Sequence, residues 1–147
     1  MALYVLDTSA VLAVLKEELE YERVVDVLRR AERGTDEVLL PFVVSMEIRY
    51  KLLRESMIAT TLTESDVTHW LGVVQAWPIR RIESDLEWGE EASNIKARGR
   101  ISLDDAWVAA LALRHDAVLV HKDPEFDAVQ DLRHLRLPYD RDGGVRS

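Results

Sequence analysis

The chain contains no cysteine, which removes disulfides, zinc–thiolate centres and thiol nucleophiles from consideration. No apolar run approaches the roughly 18 residues that a membrane helix requires. The stretch Met1–Leu15 is apolar enough to resemble a signal segment, but it lacks a basic start and carries Asp7 at its middle. The expectation is therefore a protein without leader or membrane anchor, with the cytoplasm as its address. No glycine-rich turn follows the first apolar run, which excludes a P-loop or a Rossmann dinucleotide fingerprint. Bases are also scarce: 19 Lys and Arg stand against 27 Asp and Glu, for a net charge of −8 and a pI near 5.0. A domain that holds nucleic acid by bulk charge is ordinarily basic, so charge alone argues against that class of partner.

What is present is the composition of an ordinary folded domain. At 147 residues, 48% hydrophobic and 31% charged, the chain is long enough to bury roughly 68–70% of its unfolded surface without covalent staples, and it is far from the composition of a disordered segment. No repeat, linker or low-complexity stretch divides it. Residues 1–140 are expected to form one domain, and the tail 141–147, with Asp142-Gly143-Gly144, to be flexible.

Short β-like runs alternate with longer helical ones. Leu3–Leu6, Val38–Pro41, Ile79–Ile82 and Ala117–Val120 read as strands, and His134–Leu137 as an edge strand. Helices are expected over Ser9–Lys16, over Tyr21–Arg33 with Gly34 as its stop, and from Val43 to Met57. A further helix runs from a Thr63 cap to Trp77, where Pro78 blocks continuation. Ser84-Asp85-Leu86-Glu87 has capping-box spacing and opens a helix ending near Arg98-Gly99. Ser102 opens another over Leu103–His115, and Asp123-Pro124 begins a last one. Such alternation predicts an α/β fold with a mostly parallel central sheet and helices on both faces.

Ligand sites in open parallel sheets lie beyond the carboxyl ends of the strands, and two acids fall there. Asp7 follows Leu6 directly, and Asp123 follows the run ending at Val120. Either one alone could simply cap the next helix. Asp104 and Asp105 open a helix whose next eight residues, Ala106–Leu113, are all non-polar. That helix should be central and buried. One carboxylate suffices for its dipole, so a second calls for a cation or for solvent. Glu47 sits on the helix after the second strand, four residues before Lys51, and a simple ion pair would account for it. Acids drawn from four separate segments converge only through the fold. Once converged they raise one another's pKa unless something positive intervenes. An all-oxygen donor set without cysteine suits Mg²⁺ or Mn²⁺.

Leu6-Asp7-Thr8-Ser9, a helical Glu47, Ser102-Leu103-Asp104-Asp105-Ala106-Trp107-Val108-Ala109-Ala110 and Leu119-Val120-His121-Lys122-Asp123-Pro124-Glu125-Phe126 together resemble the PIN-domain family, and most closely VapC-type toxins of toxin–antitoxin pairs. Each motif is weak alone, but four in order, from Asp7 to Phe126, make a specific signal. The resemblance implies a PIN-like three-layer fold and a metal-dependent endoribonuclease whose catalytic and metal-binding acids are Asp7, Glu47, Asp105 and Asp123. One or two Mg²⁺ or Mn²⁺ ions would be held there. Asp105, before Ala106, takes the family's acid position, leaving Asp104 to assist or cap, and Thr8 or Ser9 resembles the hydroxyl position that orients the site. His121 departs from the pattern, which commonly has Thr or Ser there; His69, His115 and His134 match no site.

Metal ions held by these acids would lower the pKa of a bound water and align it with a phosphate, with no side-chain nucleophile needed. The bases placed to steer RNA are Arg100, Arg98 and Lys96, ahead of the Asp104-Asp105 opening, with Arg49, Lys51 and Arg54 on the Glu47 helix. Each is equally readable as a solvated surface charge. The resemblance also implies a homodimer neutralised by a small cognate antitoxin. Two alternatives remain at this point. A haloacid-dehalogenase-like phosphatase also places Asp after its first strand, but it would want a second Asp where Ser9 stands. A non-catalytic RNA- or partner-binding scaffold would tolerate an incomplete acid set.

Overall fold

The strands built on the apolar runs, Leu3–Leu6 (β1), Glu37–Pro41 (β2) and Val118–His121 (β4), lie side by side at the centre of a five-stranded sheet. The structure is a computed structural model that describes residues 1–59 and 61–139; the expected flexible tail lies outside them. Between and beside these strands come α1 (Thr8–Leu15), α2 (Glu22–Glu32), α3 (Phe42–Ile58), α4 (Glu64–Gln75), β3 (Arg80–Ile82), α5 (Leu86–Arg98), α6 (Leu103–Arg114), a short 3₁₀ helix at Pro124–Ala128, and β5 (Arg133–Arg136). The strand order is β3-β2-β1-β4-β5, and every pairing is parallel. The sheet expected to be mostly parallel is thus wholly so among the described residues. Continuous apolar runs suit strands buried on both faces, and Val5, Leu6, Leu39, Leu40, Leu119 and Val120 are all buried.

The chain runs outward through β1, β2 and β3, then returns across the sheet to β4 on the far side of β1. With the right-handed crossovers that parallel sheets use, α1–α4 and α5–α6 fall on opposite faces. The reversal makes the β1/β4 carboxyl edge the topological switch point, where crevices form in open sheets. The backbone N–H of Asp7 donates to the Val120 carbonyl at 3.0 Å, carrying the β1/β4 ladder right up to that crevice.

Helix α6 is the central helix that its non-polar run predicts, with Ala106, Val108, Ala109, Ala110, Leu111 and Ala112 buried. Trp88 of α5 is fully buried and donates its indole N–H to the Trp107 carbonyl at 2.7 Å, pinning α5 to α6.

Two local expectations are corrected. Helix α5 is capped by Asp85, not Ser84: the Asp85 carboxylate accepts the Trp88 N–H at 2.8 Å. The helix thus begins one residue later, with Trp88 and Ala92 on its buried face. After Asp123 the chain makes only five residues of 3₁₀ helix before turning into β5, so the start signal was real but the helix short. Thr63 does cap α4, in a reciprocal capping box with Asp66, and Gly34 takes a φ of +79° after α2, a left-handed stop that glycine adopts at no steric cost. No helix among the described residues is long and apolar enough to cross a membrane.

Candidate metal centre at the β1/β4 edge

Asp7 leaves the end of β1 and is 3% exposed. It caps α1, its Oδ2 accepting the Ser9 backbone N–H at 3.1 Å and the Ser9 hydroxyl at 2.5 Å. The Ser9 oxygen in turn accepts the Lys122 N–H at 2.9 Å, so one serine joins the ends of β1 and β4. Asp105, 8% exposed, stands in the first turn of α6, where Ser102 is the cap and accepts its N–H at 3.3 Å. Asp123 caps the 3₁₀ helix by accepting the Glu125 N–H at 2.9 Å. Carboxylate oxygens of Asp105, Asp123 and Glu125 lie within 4.8 Å of one another. Glu125 also accepts the Ser102 N–H at 2.5 Å, fastening the β4 loop to the mouth of α6.

Glu47 stands beside this group without being part of its tightest cluster. It accepts a short hydrogen bond from the Thr8 hydroxyl, shares a hydrogen bond with Asp104, and lies 3.8 Å from the Lys51 ammonium. The simple ion pair read from the sequence is therefore present, together with a link to the site. Thr8 and Ser9, adjacent in sequence, serve different acids: Thr8 holds Glu47 and Ser9 holds Asp7. Asp104 is not the cap of α6, a role Ser102 fills; it is the hydrogen-bond partner of Glu47.

The electrostatics follow from crowding. Burial is the main force pushing the Asp105 carboxyl up to about 9, and the charges of Asp7, Asp123, Asp104 and Glu125 add to it. Burial also raises Asp7, with Asp123 adding repulsion and the Ser9 bonds pulling the other way. Glu47 is raised first by burial and then by the hydrogen bond to Asp104. Burial pushes Asp104 the same way, but the bonds from Glu47 and Ser102 outweigh it and hold Asp104 below its ordinary value. Carboxylates so arranged need protons or a cation. A compact set of hard oxygens fits Mg²⁺ or Mn²⁺.

Glu125 is the site residue that sequence reasoning missed, although it lies within a quoted motif. Its signal was Asp123-Pro124-Glu125: proline fixes the first helical position, so the next acid falls in the same first turn. His134, which matched no motif, is hydrogen-bonded to His121 at 2.9 Å. Burial holds His121 down to about 4, with His134 and Arg136 contributing, which makes it a neutral structural ring. Lys96, Arg98 and Arg100 are exposed at the end of α5 and in the link to α6, and none of them forms an ion pair among the described residues.

The family model described as PIN domain matches residues 4–132. No curated protein sequence matches significantly. Similar solved structures include VapBC2 from Rickettsia felis bound to a DNA fragment from their promoter, at 14% identity and a TM-score of 0.72, covering 91% of this chain and 98% of that one. VapBC-1 from nontypeable Haemophilus influenzae is 21% identical with a TM-score of 0.61, covering 91% and 97%. VapC20 from Mycobacterium tuberculosis, a sarcin–ricin loop cleaving toxin, is 16% identical with a TM-score of 0.63, covering 85% and 93%. At these identities the likeness is one of fold.

Proposed function

The chain belongs to the PIN-domain family, and on that premise we propose that it is a metal-dependent endoribonuclease, the toxin of a toxin–antitoxin pair. The observation that carries this reading is the meeting of Asp7, Asp105 and Asp123, from three distant segments, at the switch point of the sheet, with oxygens of Asp105, Asp123 and Glu125 within 4.8 Å. Asp7, Glu47, Asp105 and Asp123 are the proposed ligands and catalytic acids, with one or two Mg²⁺ or Mn²⁺ ions as cofactor. A divalent ion bound there supplies Lewis acidity toward water and phosphate oxygens. The chain's own residues do the rest. Ser9 fixes the Asp7 carboxylate, Thr8 and Asp104 fix Glu47, and Lys96, Arg98 and Arg100 steer the RNA backbone from the exposed end of α5.

A small antitoxin presenting a basic side chain to this acidic crevice is the proposed inhibitor, and a homodimer in the cytoplasm the proposed state. VapBC complexes among the fold neighbours support the partner. The test is incubation of the purified protein with structured RNA and Mn²⁺ or Mg²⁺, with and without chelator. Internal cleavage that chelation and Asp7→Asn both abolish is expected. Cleavage indifferent to both would overturn the metal assignment, and release of phosphate from a small ester without RNA cleavage would favour the phosphatase.

A further inference from the structure

His121 is fully buried at the end of β4, its ring packed against Phe126 at a centroid distance of 4.9 Å and nearly edge-on to His134 at 5.1 Å. Its Nδ1 accepts the backbone N–H of Asp123 at 3.1 Å. A neutral imidazole has one acceptor and one donor nitrogen, so the proton belongs on Nε2, which donates to Nδ1 of His134 at 2.9 Å. The tautomer is assigned from these partners. The register of the sheet makes the contact: Leu119 lies opposite His134 and His121 opposite Arg136, so the two histidines are diagonal neighbours on one face.

We infer that His121 and His134 are a positioning pair, in which His134 accepts the Nε2–H of His121 and so supports the tautomer whose free Nδ1 anchors the Asp123 backbone and aims the Asp123–Glu125 loop at Asp105. The inference rests on the proposed metal role of Asp123. Each link is a single hydrogen bond. His134 Nδ1 accepts the hydrogen bond from His121 Nε2–H, His121 keeps a free Nδ1 lone pair, and that lone pair accepts the Asp123 N–H. Asp123 then accepts the Glu125 N–H, and Glu125 accepts the Ser102 N–H. Were His121 to carry its proton on Nδ1, two N–H groups would face each other and the loop would have to move. The edge strand β5, otherwise remote from the acids, thereby has a part in the site.

Isosteric replacement separates the two nitrogens. His121→Asn puts a carbonyl oxygen where Nδ1 stands, whereas His121→Gln reaches the place of Nε2 and leaves the Asp123 N–H without its acceptor. His134→Phe keeps a ring but removes the acceptor that fixes the tautomer. Two readouts on the full chain are needed: nitrogen NMR of the histidine rings without metal, and Mn²⁺ affinity from the paramagnetic resonance of free ion. The expected result is an unprotonated Nδ1 at His121 in the wild type and Mn²⁺ affinity within about threefold of wild type in the Asn variant. In the Gln variant affinity should fall by about 10-fold or more, the usual scale for groups that orient a ligand, in a protein that stays folded at the assay temperature but melts lower, because the Asp123 N–H is left unpaired. The Phe variant should show mixed tautomers and an intermediate loss. A wild-type Nδ1–H tautomer, or equal losses in the Asn and Gln variants, would overturn the pair. Wild-type protein that binds no Mn²⁺ would overturn the proposed function instead. The ring spectrum, with the Asp123 amide signal shifted in Gln but not in Asn, would still decide the pair.

Discussion

Asp105 should destabilise the metal-free protein, and replacing it with asparagine should make the fold more stable. The carboxyl is buried at the mouth of α6 among Asp7, Asp123, Asp104 and Glu125, and its pKa rises from 3.8 to about 9. Below pH 3.8 the proton is on Asp105 in both the folded and the unfolded chain, and nothing is lost. Between 3.8 and about 9 the unfolded chain ionises while the folded chain must keep its proton. Stability therefore falls as pH rises across that window, by about 1.4 kcal/mol per unit. At pH 7 the accumulated cost is on the order of 4 kcal/mol, a large share of the ~5–15 kcal/mol that holds a domain folded.

Asp105→Asn removes the titration while keeping the shape, and its amide can donate to the neighbouring carboxylates. With roughly 2–4 °C of melting temperature per kcal/mol for a chain of this size, the variant should melt about 10 °C above wild type at pH 7. The two should coincide near pH 4. Thermal melts followed by circular dichroism in chelator, from pH 4 to 8, give the comparison directly. Saturating Mn²⁺ should narrow the gap, because binding to the native state alone adds about 2.7 kcal/mol at 100 times Kd and the wild type has the fuller ligand set. A difference that does not change with pH, or a variant less stable than wild type at pH 8, would refute the argument that crowding dominates this site.

Mn²⁺ binding should release protons, about one per ion from Asp105 between pH 6 and 8, with affinity rising about tenfold per pH unit; calorimetry in buffers of different ionisation enthalpy counts them, and a flat profile would contradict the shifted carboxyl. Thr8→Val deletes the hydroxyl that holds Glu47 and should weaken Mn²⁺ about 10-fold with the fold intact, as read by the same calorimetry; unchanged affinity would detach Glu47 from the metal. Arg100→Ala, in an Asp7→Asn background that cannot cleave, should weaken RNA uniformly across sequences and flatten the salt dependence of binding by about 0.7–0.9 of a log unit per log unit of salt; an unaltered slope in fluorescence anisotropy would return Arg100 to the solvated surface. Trp88→Phe removes the indole bond to the Trp107 carbonyl, which keeps its partner within α6, and opens space in the core, for a loss of about 1–3 kcal/mol in urea unfolding; a loss below about 0.5 kcal/mol would mean that the indole bond does not pin α5 to α6.

The central strands were legible because each holds a continuous apolar run of three or four residues bounded by an acid, a proline or a turn, and α6 because eight consecutive non-polar residues leave the helix no polar face to turn to water. The acids at the ends of β1 and β4 followed from the same reading, since a parallel sheet puts its carboxyl ends on one edge. What stayed hidden depends on side chains far apart in sequence. Thr8 and Glu47 are separated by 39 residues and Ser102 and Glu125 by 23. Their bonds are set by how α3 and α6 pack over the sheet, which no local periodicity encodes. The same holds for His134, whose contact with His121 comes from the register of β5 on β4. At the start of α5 both Ser84 and Asp85 are good caps in sequence, and only the fold shows that it is the Asp85 carboxylate that accepts the Trp88 N–H.

The net charge of −8 looked at first like an argument against nucleic acid, and the site changes what that charge means. Setting aside the four proposed ligands leaves 23 acids against 19 bases, so half of the excess sits in one crevice. Glu125 and Asp104 crowd the same edge. Without a cation, that crevice repels phosphate, and burial strengthens the repulsion by removing the water that would screen it. With one, the same carboxylates become a seat for positive charge facing the substrate. Under the proposed function, nucleic-acid affinity at the site is then conditional on the divalent ion, and the exposed Lys96, Arg98 and Arg100 supply a weaker, salt-sensitive attraction. Under that same proposal, a basic side chain from an antitoxin would satisfy the crevice as a metal does, and the protein would be silent in either of two ways, starved of metal or occupied by its partner.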